Sequence, residues 1–352
     1  MLLFLPVGVA GALAFRRGRT AVALGGTLSV CVEVGQLFVP GRYPSVWDVG
    51  FNTAGTVLGV LLVGAGPLLL RPPPSLRRAL ALGSLGGALA VLAGGAALFA
   101  PAGIRPPLRA EWTPLSRTGH AYAGTVTAAR LGGEPLEPGV MRDAPPPMTR
   151  IRAGDTLRIA FVAGAPPVDW VPLLRGLDAG GEAALTVGIR GHDVAFSYRT
   201  LAAALHLDQP ELRLAGALSG VRPGDSVEVI ASARGDADCI HVRTRHACLS
   251  PSAGDTWALL LYPVPRALGR FLPYLWIALL LVPGGFWVDR TRHAAALTAL
   301  VVCAFALMPQ LGLAPVPPAQ LLAAPLGLGA GHWLGRQARR RPSNPIPIPI
   351  PS

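Results

Sequence analysis

Residues 33–59 read EVGQLFVPGRYPSVWDVGFNTAGTVLG, and this stretch decides the architecture. Glu33 and Gln36 stand three apart, and Asp48 and Asn52 stand four apart, with Arg42 in a Pro/Gly-punctuated connection between the pairs. Residues at those intervals share a helix face. An uncharged apolar run flanks each pair, of about the 20 residues that a helix needs to cross a hydrocarbon core. The stretch therefore reads as a hairpin of two membrane helices with polar groups gathered near its turn. Ionisable groups at such depth are costly unless paired, so they mark a candidate site. Gly55 and Gly59 form G-x-x-x-G, which permits close helix contact.

The same apolar length recurs along the chain. Seven candidate spans cover residues 2–15, 20–39, 49–70, 79–102, 267–288, 294–313 and 319–334. The first is short, and Pro325 interrupts the last. Of all residues 51% are hydrophobic and 14% charged, too few charges for an ordinary soluble domain. The expected fold is an α-helical multi-pass membrane protein with an inserted extracytoplasmic all-β sandwich. Residues 1–103 would form the first helical block, 104–265 the sandwich, 266–336 a second helical block, and 337–352 a disordered tail ending in SNPIPIPIPS.

The formal charge of +12 invites a nucleic-acid reading, and its placement excludes one. Residues 105–266 hold 17 Arg against 16 Asp and Glu, while the other 14 Arg face only Glu33, Asp48 and Asp289. Lys is absent. The connections at 16–19, 71–78 and 289–292 and the tail at 336–341 are basic. They alternate with connections at 40–48 and 314–318 that hold a single Arg between them. Arg resists translocation in short loops, so the basic side is cytoplasmic. The central domain then lies outside a bacterial inner membrane and the C-terminus inside. Residues 2–15 lack a basic n-region and an A-x-A site, so they read as an uncleaved span rather than a signal peptide. A start codon further upstream, adding a helix, is the other reading.

Taken in order on these helices, Glu33, Gln36, Arg42, Asp48, Asn52, Gly55 and Gly59 resemble the pattern of the VanZ-like family. The upstream LFLPVG at 3–8 is similar to the signature of that family's preceding helix. The resemblance covers residues 2–70. It implies a cell-envelope role, the family being named for a glycopeptide-resistance accessory protein, and it implies no established reaction. Two readings of the cluster stay open. Arg42 can bridge Glu33 and Asp48 while the amides cap helix ends. Alternatively, Arg42 and the amides bind the headgroup of a membrane lipid or lipid-linked glycan, a guanidinium being suited to phosphate. The alternatives at the level of function are an enzyme acting on a phospho- or glycolipid headgroup with Glu33, Arg42 and Asp48 at its centre, and a structural component of an envelope or exopolysaccharide assembly. No catalytic residue is assigned, and no cofactor, metal or nucleic acid is expected.

The second block is similar to the first. LVPGG at 281–285 matches LPVG at 5–8, and Gln320, Ala324, Gly327 and Gly331 fall at the spacing of Asp48, Asn52, Gly55 and Gly59. Gln310 follows Arg290 at the interval by which Gln36 follows Arg16. A degenerate repeat is expected, one that kept its small-residue helix contacts and lost its charges. Chance similarity between Gly/Ala-rich helices is the alternative.

Between the blocks, short apolar or alternating runs at 157–162, 184–190, 194–199, 226–231 and 257–262 read as strands, with a hairpin loop at 191–193. That pattern suits a jelly-roll-like sandwich. It faintly resembles the concanavalin-like laminin-G modules, without a diagnostic motif. Trp112, Trp170, Tyr198 and Trp257 are available to stack on a sugar, although core packing is the ordinary use of each. The partner expected at this domain is a glycan or an envelope protein. Cys239, His241, His246 and Cys248 are nearly palindromic. On a tight hairpin each would oppose its like, giving a disulfide in an oxidising compartment or, alternatively, a zinc site. Cys31 and Cys303 read as packing residues.

Overall fold

The computed structural model describes residues 4–15, 18–38, 44–116, 119–141, 146–235, 237–260, 264 and 266–340. It divides into two units, residues 1–80 with 333–352, and residues 81–332.

The first unit contains α1 (Leu5–Ala14), α2 (Gly18–Gln36), α3 (Val46–Gly64), α4 (Gly66–Leu70) and the start of α5 (Pro74–Leu98). Helix α2 buries one stripe, Ala21, Gly25, Ser29 and Glu33, at four-residue intervals. That stripe is small or polar, while Leu24, Leu28 and Val32 of the same helix are exposed. On α3, Gly55, Thr56 and Gly59 are buried, whereas Leu58, Leu61 and Leu62 are exposed. Small residues inside and large apolar residues outside invert the pattern of a water-facing helix and suit lipid. Helices α3 and α5 are long and apolar enough to cross a membrane, while α1 is apolar but shorter.

The contact of α1 with α3 rests on glycine. A Cβ on Gly8 would strike the backbone carbonyl of Thr56, and one on Gly59 would strike the backbone of Leu5 and Val9. Backbone atoms cannot swing away as a side chain tip can, so these positions admit little else.

The second unit holds two six-stranded antiparallel sheets. Its elements are β1 (Leu108–Trp112), β2 (Thr125–Leu131), β3 (Glu134–Pro135), β4 (Gly139–Met141), the short α6 (Pro147–Arg152), β5 (Leu157–Val162), β6 (Val171–Leu177), β7 (Ala183–Arg190), β8 (Asp193–Tyr198), β9 (Glu211–Leu214), β10 (Ser226–Arg234), β11 (Ala237–Val242) and β12 (Arg245–Leu249). One sheet runs β4-β1-β6-β7-β8-β9 and the other β12-β11-β10-β5-β2-β3. Alternation along the strands points Ile159, Phe161, Val227 and Val229 of the second sheet, and Leu185, Val187, Ile189 and Phe196 of the first, into one shared core.

Residues 257–262 are not the expected strand. Ala253–Leu259 form a 3-10 helix, and residues 261–262 lie outside the described residues. The cause is local. Ser252 starts the turn, its backbone N–H and hydroxyl both donating to Asp255 Oδ2, at 2.8 and 2.5 Å. A short apolar run bounded by such a cap does not distinguish strand from helical turn by periodicity.

After the sandwich come α7 (Arg266–Gly269), α8 (Leu272–Phe286), α9 (Thr291–Leu307), α10 (Pro318–Leu321) and α11 (Ala323–Arg340). Helix therefore occupies each of the seven expected segments, but by length and apolarity only the two named above, α3 and α5, qualify as spans among the described residues. Leu92 of α5, Ile277 and Leu281 of α8, Phe305 of α9 and Leu328 of α11 form a second apolar core. Within it, α8 meets α11 as α1 meets α3. A Cβ on Gly285 would strike the carbonyl of Leu328, and one on Gly331 would strike the carbonyl of Val282 and the N–H of Phe286. In the first unit the corresponding atoms are the carbonyls of Thr56 and Leu5 and the N–H of Val9. Leu5, Gly8 and Val9 map onto Val282, Gly285 and Phe286 by one constant interval, and Thr56 and Gly59 map onto Leu328 and Gly331 by another. The same backbone contact thus recurs at the positions that the expected repeat pairs.

Candidate functional site

The residues singled out on the first hairpin divide into a buried and an open group. Glu33 is 6% exposed, at the end of the buried stripe of α2. Its Oε2 accepts the backbone N–H of Ser45 at 2.8 Å. Ser45 is the N-cap of α3, so a carboxylate of α2 satisfies one of the orphan donors at the start of the next helix. Asn52 donates from Nδ2 to Ser29 Oγ at 3.1 Å, one turn deeper. Gly25 leaves room beside this pair for the side chain of Thr56. These contacts lock α2 to α3.

Asp48, in contrast, is exposed in the first turn of α3, where a negative charge suits the helix dipole. Gln36 is half-buried at the last turn of α2. Arg42 lies outside the described residues. Around this polar end the apolar side chains face outward. Trp47 is 77% and Phe51 54% exposed, with ring centroids 6.5 Å apart, and Phe38 is 82% exposed. Aromatic side chains of this kind collect where hydrocarbon gives way to headgroups. The sequence reading missed Ser29 and the Ser45 N–H. Ser29 was legible as the residue four before Glu33. The Ser45 N–H was not, because every residue carries that donor.

The family comparison falls on this unit. Residues 1–69 match the VanZ/LLP1 family model. This segment is VanZ-like. Every residue singled out on the first hairpin falls inside the match, and the sandwich falls outside it. The match and the two apolar helices together support, at a coarse level, a membrane-associated protein of the cell envelope. No curated protein and no solved structure matches the chain.

The second unit lacks the VanZ-like charges at the corresponding positions. Gln320 stands where Asp48 stands in the first block, and it is buried with Oε1 3.0 Å from Ser252 Oγ. The 3-10 turn covers it, Gly254 being pressed against the Gln320 amide. Gly327, like Gly331, sits against the backbone of α8, at Ala278.

In the sandwich, Cys239 and Cys248 face each other on β11 and β12 and are disulfide-bonded. His241 and His246 are the next opposed pair on that face, with rings stacked at 5.6 Å. With both sulfurs in the disulfide, the thiolates a zinc ion would need are gone. Of the four aromatics, Tyr198 and Trp257 are buried. Tyr198 of β8 donates to Asp238 Oδ2 of β11 at 2.7 Å and accepts from Arg152 at 3.0 Å, bracing one sheet to the other. Burial, reinforced by the Asp238 charge, pushes the Tyr198 hydroxyl well above the usual phenol range. Trp112 is half-buried and donates from Nε1 to Leu136 O at 3.0 Å. Trp170 alone of the four lies across the outer face of a sheet.

Proposed function

We propose that this chain is a multi-pass protein of a bacterial inner membrane. Its VanZ-like rim engages the headgroup of a membrane lipid or lipid-linked glycan, and its sandwich, outside the cytoplasm, engages a glycan. The observation that carries the lipid reading is the rim itself. An open carboxylate, Asp48, and a half-buried amide, Gln36, stand among exposed Trp47, Phe51 and Phe38. The buried Glu33 and the half-buried Asn52 hold that end of the hairpin together and leave Asp48 uncovered. Asp48 can accept hydrogen bonds from headgroup hydroxyls or an amine, and Arg42 supplies a donor set for phosphate.

Native mass spectrometry of the purified chain tests this. The wild type is expected to retain a phospholipid or lipid-linked sugar that Arg42→Lys and Asp48→Ala release, with both variants still folded. Equal retention in all three proteins would sink the reading.

The disulfide and the distribution of Arg support an extracytoplasmic sandwich. In a chain with Cys31 and Cys303 replaced, a cysteine introduced at Val168 is expected to react with a membrane-impermeant maleimide in spheroplasts. One at Arg339 is expected to react only after permeabilisation. The reverse pattern would overturn the orientation.

A further inference from the structure

The geometry points to a carbohydrate-binding site on the outer face of the first sheet, with Trp170 as the stacking platform and a neutral hexose chain as the ligand. This rests on the reading of the sandwich as a glycan-binding domain and names the place and the class of glycan.

The register makes the face. Across β1, β6, β7, β8 and β9, the directly opposed residues Glu111, Arg175, Thr186, Ser197 and Glu211 form one polar row. Opposed residues of an antiparallel sheet share a face, and this row lies opposite the core-facing Val187 and Phe196. Two residues along, the row changes to Pro172, Gly188 and Ala195. Small residues there leave a floor on which a ring can lie. Trp170 uses it, for a Cβ on Gly188 would fall on Cζ3 and Cη2 of the indole. The benzo ring is therefore laid on the sheet beside the polar row.

A hollow of about 750 Å³ opens here, lined by Trp170 and by Arg175, Thr186, Arg190 and Ser197. Its rim carries Asp169 and Glu182. A second hollow of about 620 Å³ adjoins it across β1, shares Leu115 and Arg175, and is lined by Trp112. Two adjoining hollows that share Arg175 suit a chain of rings better than a single small molecule.

Ligand class follows from charge. The larger hollow balances Arg175 and Arg190 against Asp169 and Glu182. Among the described residues, none of these four side chains enters an ion pair. Donors and acceptors on a face with no net charge match hydroxyls, which are both, and do not favour an anion or a cation. The ring face of a hexose supplies the apolar partner for the indole.

The test uses the full chain in phospholipid nanodiscs, which keeps sugar-headed detergents out. Titration calorimetry would compare neutral β-linked and α-linked glucose oligosaccharides with a hexuronate oligosaccharide. A neutral oligosaccharide is expected to bind. Trp170→Ala should weaken it about tenfold, the scale of one lost stacking contact. Trp170→Phe should restore most of the affinity, and Arg190→Gln should cost several-fold. Added salt should change the affinity little, because no net charge is screened. If Trp170→Ala and Arg190→Gln bind as the wild type does, with unchanged melting temperatures, this site is wrong and the glycan reading survives. Binding of the hexuronate alone overturns the neutral class. No binding of any oligosaccharide by the wild type overturns site and glycan reading together.

Discussion

Gly59→Ala should lower the stability of the VanZ-like unit, while Gly50→Ala in the same helix should raise it or leave it unchanged. Both glycines lie in α3, so helix propensity predicts one sign for both, a gain of about 0.5–1 kcal/mol. Packing separates them. A Cβ at Gly50 meets nothing within 4 Å, whereas at Gly59 it meets the backbone of Leu5, Gly8 and Val9. No rotamer change relieves a clash with backbone, so α1 and α3 must move apart and lose contact along their length. The expected loss is about 1–3 kcal/mol, the range for overpacking, and it outweighs the propensity gain. The second block supplies a replicate, with Gly331→Ala costly and Gly329→Ala, which meets nothing within 4 Å, benign. Thermal denaturation of the four variants in nanodiscs decides. A wild-type melting temperature for both Gly59→Ala and Gly331→Ala would remove the argument that these contacts are paired features of a repeat.

The glycines also mark what could be read without a structure. G-x-x-x-G on an apolar helix is a local signal, and so is the alternation that makes β5 and β10 strands. The polar cluster was legible only in part. Three- and four-residue spacing puts Glu33 with Gln36 and Asp48 with Asn52, but it does not say which member faces inward. The inward choice came from the small residues at 21, 25 and 29, which continue the stripe to Glu33. The sandwich site depends on strand register between residues far apart in sequence. Nothing local to Trp170 says that Gly188 will lie beneath it. The 3-10 turn at Ala253–Leu259 has a local signal in its Ser-x-x-Asp cap, but the short apolar run beside that cap fits a strand equally well by periodicity.

The same outer domain carries a carboxylate whose removal should be costly and whose cost should depend on pH. Asp178 follows β6, and its side chain is 2% exposed. Oδ1 accepts the backbone N–H groups of Gly180 at 2.9 Å and Glu182 at 3.1 Å, and Oδ2 accepts from Arg199 Nη1 at 2.9 Å. Burial alone would raise its pKa. The N–H donors of Glu182 and Gly180 and the Arg199 charge more than offset that, and hold the carboxyl below the ordinary range. The folded pKa therefore lies below the unfolded one. The stabilisation is complete above the unfolded value of about 4 and fades as pH falls through the folded value. Asp178→Asn keeps the shape, but it loses the charge and turns an amide donor toward donors. At neutral pH it should cost about 2–3 kcal/mol, as expected for a buried charged pair left with one partner. In acid the wild type should fall toward the variant, so the gap in melting temperature narrows. A gap that stays constant into acid would mean that the loss is one of packing rather than of charge. The consequence reaches the hollow, because Gly181 and Glu182 belong to the turn that Asp178 holds and line the larger cavity. If Trp170 and this rim act on one ligand, Asp178→Asn should weaken binding of the neutral oligosaccharide at temperatures where the domain is still folded.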